Sequence, residues 1–493
     1  MAEKSIGKNY IYNLLFQILT LITPFITTPY LSRVLGVEGI GLNSYCNSMV
    51  FYFTLIAALG TTAFGQREVA GAVGKEARSR SFWEVFSLRI IFSVISLAIY
   101  LVLFTVIFKE HVIIYLILSL NVVSVFLDIS WFFQGVEEFG MITLRNSAIK
   151  ILGIIATFIF IKTPDDLVLY ILITAGFTAI GNLSLWIGLP KHICKVKDVK
   201  PFRNIKTVLQ FFIPTVAVQI YTVLDKSMIG WFTAGSTVEN GYYEQAEKLV
   251  KMALTVVTAI NVVFIPKLTR CFREGDMDKV RDYSYKSYRF IWFLGIPIFL
   301  GIFVVADYFV PIFYGAGYEK CTPLIRILSL IVLFIGTSAV TGTQYFVSVG
   351  KQNVLTLTVT IGAVVNVILN LILIPHYYSV GASIATVVAE FVVALFGIIY
   401  VCKKDGFKLS KIFVSAIKYL IAGGVMFLAL YFIKKAFDIT VLALILLVVI
   451  GVSIYFVCLL LLKDKFLLDI LNKVLSKFIR KKNKAVEENN ENS

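Results

Sequence analysis

The sequence predicts an all-α polytopic membrane protein of about 14 transmembrane helices, read as two related six-helix halves followed by two further helices and a basic tail. Three observations predict it. Of the 493 residues, 58% are hydrophobic and only 15% are charged, and the mean hydropathy is +0.85, far above a soluble domain. The apolar residues fall in runs of about 17 to 25, the length that crosses a bilayer as a helix. The basic residues cluster between those runs, so the net charge of +16 reflects membrane topology. It does not describe a nucleic-acid binder, which needs a soluble basic face. The cysteines (Cys46, Cys194, Cys271, Cys321, Cys402 and Cys458) are scattered without paired spacing, and only His111, His192 and His376 supply imidazole. Neither a disulfide framework nor a metal site is expected.

In chain order, spans are expected at 10–31, 43–65, 83–108, 112–133, 147–162, 167–189, 207–232, 242–265, 287–309, 323–347, 353–375, 379–402, 412–433 and 440–462. The first follows Lys4 and Lys8 and, at about 20 apolar residues with no small-residue cleavage site, is too long for a signal-peptide core. An even number of spans puts both termini on one side. With the termini cytoplasmic, about 34 of the 46 Lys and Arg lie inside, notably in 191–206, 267–289 and 403–411, and about 6 lie outside, which fixes the orientation by the positive-inside rule. After the last span, residues 464–484 put Leu467, Leu471, Val474, Leu475 and Phe478 on one helical face and lysines on the others, the pattern of a helix lying on the inner leaflet. The closing AVEENNENS is polar enough to be disordered. The outer loops are too short for a catalytic domain.

The halves are 1–203 and 204–408, leaving two helices in 409–463 and the tail in 464–493. GLNSYCNSMV (41–50) aligns with GYYEQAEKLV (241–250), SRVLG (32–36) with KSMIG (226–230), and Pro24 with Pro214. An even number of spans per half gives both the same orientation, as in parallel-repeat transporters, whose substrate site lies at the repeat interface. Proline removes a backbone donor and bends a helix, so Pro24, Pro29 and Pro214 are candidate hinges, although prolines are frequent in membrane helices generally.

Charges inside the spans single out a site. Glu244, Glu247, Lys248 and Lys251 stand at i, i+3, i+4 and i+7, stacked on one helix face with Glu–Lys pairs in the favourable order. A charge facing lipid at the bilayer centre costs about 2.5 to 3.5 kcal/mol or more, so this face is expected to line a water-filled cavity. Asp225 and Lys226 in the preceding span, Arg326 in the tenth and Arg33 at the outer end of the first extend the set. Its cation excess suits an anionic substrate, with Asp225, Glu244 and Glu247 available to hold the cations apart or to bind a coupling ion. Asp128 and Glu390 are the other carboxylates within spans. Arg89 and Lys418 fit pairing and snorkelling equally.

NYIYNLLFQILTLITPFITTPYLSRVLGVEGIG (9–41), FGQREVA (64–70), YTVLDKSMIGWF (221–232) and GYYEQAEKLVKM (241–252) together resemble the polysaccharide-type (Wzx) flippases of the multidrug/oligosaccharidyl-lipid/polysaccharide exporter superfamily. The resemblance covers essentially the whole chain. It implies two pseudo-repeated six-helix bundles around a central cavity plus two C-terminal helices, in a bacterial inner or plasma membrane. It implies a transporter, not an enzyme: an undecaprenyl-pyrophosphate-linked oligosaccharide repeat unit passes by alternating access from the cytoplasmic to the outer leaflet for capsule, exopolysaccharide or O-antigen assembly. Family cations that bind the pyrophosphate correspond to Arg33, Arg67, Lys226, Lys248 and Lys251, although Arg67 also fits an ordinary inside-loop anchor. Membrane lipid and a polysaccharide polymerase are the implied partners. No GxxxxGK[ST] loop occurs, so ATP hydrolysis and cofactors are not expected, and H+ or Na+ is left as the coupling ion. The alternatives are a lipid II flippase, a multidrug or cation exporter with an acidic or aromatic cavity, and a membrane polymerase or ligase, for which Asp165 and Asp166 in the KTPDD turn are the best catalytic candidates.

Overall fold

Inside a bilayer every peptide group must find its hydrogen bond within its own segment, which leaves helices for a chain of apolar runs. The computed structural model, which describes residues 6–233, 236–472 and 476, has no strand among them. Its helices are α1 (Ile6–Ala58), α2 (Thr61–Gly71), α3 (Lys75–Leu101), α4 (Val112–Leu127), α5 (Ser130–Gly135), α6 (Phe139–Phe160), α7 (Leu167–Ser184), α8 (Ile205–Phe232), α9 (Val238–Thr258), α10 (Ile260–Arg273), α11 (Met277–Phe313), α12 (Cys321–Leu328), α13 (Ile331–Ala339), α14 (Gln352–Lys404), α15 (Leu409–Ile433) and α16 (Val441–Leu461).

Among the described residues, 10 helices are long and apolar enough to cross a membrane, or 11 with one bent pair taken as a single span. Two helices are each long enough for two of the expected spans. In α1 the chain is helical through Pro24 and Pro29 and breaks at Gly36, with φ 68° and ψ 176°, a backbone conformation open essentially to glycine alone. In α14 the break is at Tyr378, φ 49°, between the spans expected at 353–375 and 379–402. The span expected at 242–265 is not one straight helix: α9 ends at Thr258, and Val238–Thr258 and Val263–Arg273 are bent by 46° to each other. Pro214 lies within α8, its side chain outside the described residues. The tail expected from 464 begins with Asp464, whose Oδ1 accepts from the Leu467 amide at 3.0 Å; residues 473–475 and 477–493 lie outside the described residues.

The chain gathers into two compact units. The first comprises 1–248, 313–324 and 356–389. Its core joins α1 to α3, α4 and α7 through Leu35, Val50, Tyr100, Tyr115, Leu118 and Ile171, and in a second cluster Phe82 stacks on Phe86 and Trp131 while Trp186 meets Phe86 edge-on. In lipid, helices associate by close packing and polar contacts, so small residues mark the tightest crossings. The repeat-matched glycines meet at one of them: a Cβ on Gly41 would lie 1.8 Å from the Thr237 carbonyl oxygen, and one on Gly241 would lie 2.1 Å from that of Val37. The second unit comprises 249–312, 325–355 and 390–493. There α15 and α16 are tied to α11, with the Trp292 indole donating to the Ile412 carbonyl at 3.1 Å and the Tyr455 hydroxyl to that of Phe293 at 2.8 Å.

Candidate functional site

The charged residues of α8 and α9 form two networks in the first unit. Lys226 and its neighbour Asp225 leave α8 in different directions and meet different partners. The Lys226 Nζ lies 2.6 Å from Glu244 Oε2 and 3.0 Å from Glu247 Oε2. Ser44 on α1 donates to Glu244 Oε2 at 2.8 Å, and the Asn240 amide donates to the Lys226 carbonyl at 2.6 Å. Both carboxylates at the start of the charged face therefore reach back to the preceding helix. The Glu244–Lys248 pair expected along α9 does not form: Lys248, half-buried, makes no ion pair among the described residues. The one-turn reach along the helix loses to a lysine that approaches from α8 with Ser44 completing the carboxylate's shell. Lys251, one turn further, is exposed.

Asp225 is 4% exposed, and the three side chains that donate to it are neutral. Its Oδ1 accepts from the Asn370 amide at 2.5 Å, and its Oδ2 accepts from the Tyr243 hydroxyl at 2.6 Å and the Thr386 hydroxyl at 2.5 Å. Asn370 also donates to Asn366 Oδ1 at 3.0 Å, while Asn370 Oδ1 and Asn366 Nδ2 are buried without a partner. Asn366 and Asn370 stand one turn apart on the first limb of α14, and Thr386 on its second limb. Here a buried carboxylate is held by an amide and two hydroxyls, all neutral, so a small cation or a proton would offset its charge.

The other expected residues are dispersed. Arg33 donates to the carbonyls of Pro29 at 2.9 Å and Phe313 at 3.2 Å and lies against Gly315. Arg67 is on the exposed face of α2. Arg326 belongs to the second unit, where its Nε donates to the Phe303 carbonyl at 3.1 Å and its Nη2 lies 3.4 Å from Asp307, which Lys434 also holds at 2.7 Å. Glu390, also in the second unit, is 8% exposed. Asp128 pairs with buried Arg89 at 3.8 Å and accepts from the Ser130 amide at 2.9 Å, so Arg89 is a paired cation. Lys418 donates to the Leu462 carbonyl at 3.1 Å. Asn366, Asn370, Tyr243 and Thr386 escape a search for charges. Two asparagines at i and i+4 in an apolar span were the available signal, since polar side chains in membrane helices seek each other.

The profile of the family described as polysaccharide biosynthesis protein matches residues 6–272, more than half of the chain. The chain belongs to that family. Among curated relatives, the putative O-antigen transporter of Shigella dysenteriae is 23% identical over 398 residues, covering 79% of this chain and 96% of the relative. That of Escherichia coli K12 is 24% identical over 413 residues, covering 80% and 97%. The solved structure of the lipid II flippase MurJ in an inward closed conformation superposes with a TM-score of 0.70 at 16% identity, covering 93% of this chain and 100% of that one, which shows a shared fold. The family member described here is accordingly a multi-pass membrane transporter and not an enzyme.

Proposed function

We propose that this family member flips a lipid-linked oligosaccharide, an undecaprenyl-pyrophosphate-linked repeat unit, from the cytoplasmic to the outer leaflet of a bacterial cell membrane by alternating access between two six-helix bundles. The observation that carries the reading is the basic and acidic network of α8 and α9 in a member of the polysaccharide biosynthesis family. Lys226 is satisfied by two carboxylates, whereas Lys248 is not, and the two lysines Lys248 and Lys251 lie one turn apart on α9. A pyrophosphate would engage Lys248 first, with Lys251 one turn along the helix, and compete for Lys226 afterwards, releasing Glu244. Charge-assisted bonds to phosphate are strong enough for that exchange. Arg33, Arg67 and Arg326 remain further candidate cations, and Gly36 joins Pro24, Pro29 and Pro214 as a hinge position.

The oxygen set around Asp225 supports a coupling role. A sodium ion there would offset the buried charge, and a proton would do the same. Glu390 and Asp128 are secondary candidates, the latter already paired.

The test is leaflet transfer of a fluorescent polyprenyl-pyrophosphate oligosaccharide by the purified protein in liposomes without ATP. Lys248→Ala with Lys251→Ala is expected to slow transfer by roughly tenfold or more, on the scale of about 1.5 to 3 kcal/mol for a charged hydrogen bond. Transfer at the unaltered rate would remove these lysines from the site, and no transfer by the unaltered protein would remove the function.

A further inference from the structure

Away from the α8–α9 networks, a cavity of about 550 Å³ opens within the first unit between α1, α5, α6 and α7, within the size range of small-molecule sites. Its cations are Arg145 and Lys150 on α6. Arg145 Nη1 donates to Asn182 Oδ1 at 2.7 Å, and Asn182 is itself anchored, donating to the Ser124 carbonyl at 3.0 Å. The Arg145 Nε is buried without a partner. Lys150 meets the face of Phe16, 5.7 Å from the ring centroid, and makes no ion pair among the described residues. The carboxylate on the wall, Asp128, is already committed to Arg89 and the Ser130 amide. Two cations thus face a cavity whose one acidic side chain is satisfied elsewhere.

The rest of the lining sets hydroxyl, amide and ring beside the aliphatic Leu31, Ile142, Ile149 and Ile154. Thr23, Thr27, Thr157, Thr174 and Thr178 each donate to the carbonyl four residues back, at 2.6 to 3.1 Å. Each has therefore spent its proton and offers only lone pairs inward. Such a wall accepts hydrogen bonds from a ligand rich in hydroxyl donors. Asn146 supplies an amide, and Tyr170 and Phe177 supply ring surface. An acyl chain would pack on the aliphatic side chains but would use neither the two cations nor the remaining hydroxyl lone pairs.

We propose that this cavity binds an acidic saccharide, with Arg145 and Lys150 holding its carboxylate and the threonines its hydroxyls. The site rests on the reading that the chain moves a lipid-linked oligosaccharide, and names an acidic sugar within that substrate. The first measurement is calorimetric titration of the full-length protein in nanodiscs with a uronic-acid disaccharide and with its neutral counterpart. The acid is expected to bind about tenfold tighter or more, and Lys150→Gln and Arg145→Gln each to abolish that preference while leaving the neutral sugar unchanged. Equal binding of the two sugars, or no binding at millimolar concentration, overturns the assignment. So does a preference that survives in Lys150→Gln, which touches no structural hydrogen bond and serves if Arg145→Gln fails to fold.

The second arm separates free sugar from lipid-linked sugar. In liposomes, Lys150→Gln is expected to slow transfer of a uronic-acid-bearing lipid-linked unit and to spare a neutral one. Equal slowing of both units overturns the inference and leaves the flippase reading intact. Disaccharide selectivity without transfer of either unit by the unaltered protein has the opposite outcome, sinking the flippase reading while the cavity remains a sugar site.

Discussion

Asp225 and Lys226 are adjacent in sequence, yet one is a cation clasped by two carboxylates and the other a carboxylate surrounded by neutral donors. Burial of an unpaired charge is costly, so a cation that reaches Asp225 stabilises the folded state by mass action. The unfolding temperature of the detergent-purified protein is therefore expected to rise when choline is replaced by sodium, and Asp225→Asn is expected to abolish the rise. In sodium-free buffer the same substitution should leave the midpoint unchanged or higher, because it removes the uncompensated charge. A sodium response that persists in Asp225→Asn would assign the ion to another site. The charges were legible in the sequence, but their pairing was not. Helical spacing set Glu244 against Lys248, and the tertiary fold instead brought Lys226 and Ser44 to it.

At the scale of elements, the crossing of α1 with α9 is held by the absence of two side chains. Gly41 and Gly241, aligned by the internal repeat, each approach a backbone carbonyl more closely than any Cβ allows, and a backbone carbonyl cannot step aside as a flexible side chain does. Beside this crossing, Ser227 donates to Ser48 at 3.0 Å in a buried contact between α8 and α1. Gly41→Ala or Gly241→Ala is expected to pry the crossing open, so that a cysteine at Ser227 gains reactivity towards a water-soluble maleimide by roughly tenfold, since burial is what protects a thiol. Unchanged labelling would mean that the crossing tolerates a methyl group. The break at Gly36 has a different character. Its φ and ψ are accessible to glycine alone, and Gly36→Ala should cost about 1 to 3 kcal/mol of stability by strain, read as a lower unfolding temperature. The prolines drew attention in the sequence, but the helix runs on through both Pro24 and Pro29 and breaks after them.

For the whole molecule, 14 spans with cytoplasmic termini would put about 34 basic residues inside and about 6 outside, a bias that would favour that orientation. A green fluorescent protein fused to the C-terminus is expected to fluoresce in intact cells and an alkaline phosphatase fused there to be inactive; the reverse pattern would invert the topology. The two-bundle transport cycle proposed above is a property of this scale too. Its direct check is transfer of the lipid-linked unit by the charge-altered proteins.

Hydrophobic run length and the lack of any alternative for backbone hydrogen bonds in lipid determined the helical, many-spanning character of the chain from sequence alone. The same local rules brought out Lys226, Glu244, Glu247 and Asp225, because an ionisable group in an apolar run is visible wherever it packs. Only the tertiary structure decided which of them meet. Partners separated by 145 and 161 residues, as Asp225 is from Asn370 and Thr386, leave no periodicity for a local pattern to carry. The cavity beside Arg145 and Lys150 was invisible for the same reason: it belongs to several helices whose faces carry no signal until they are packed together.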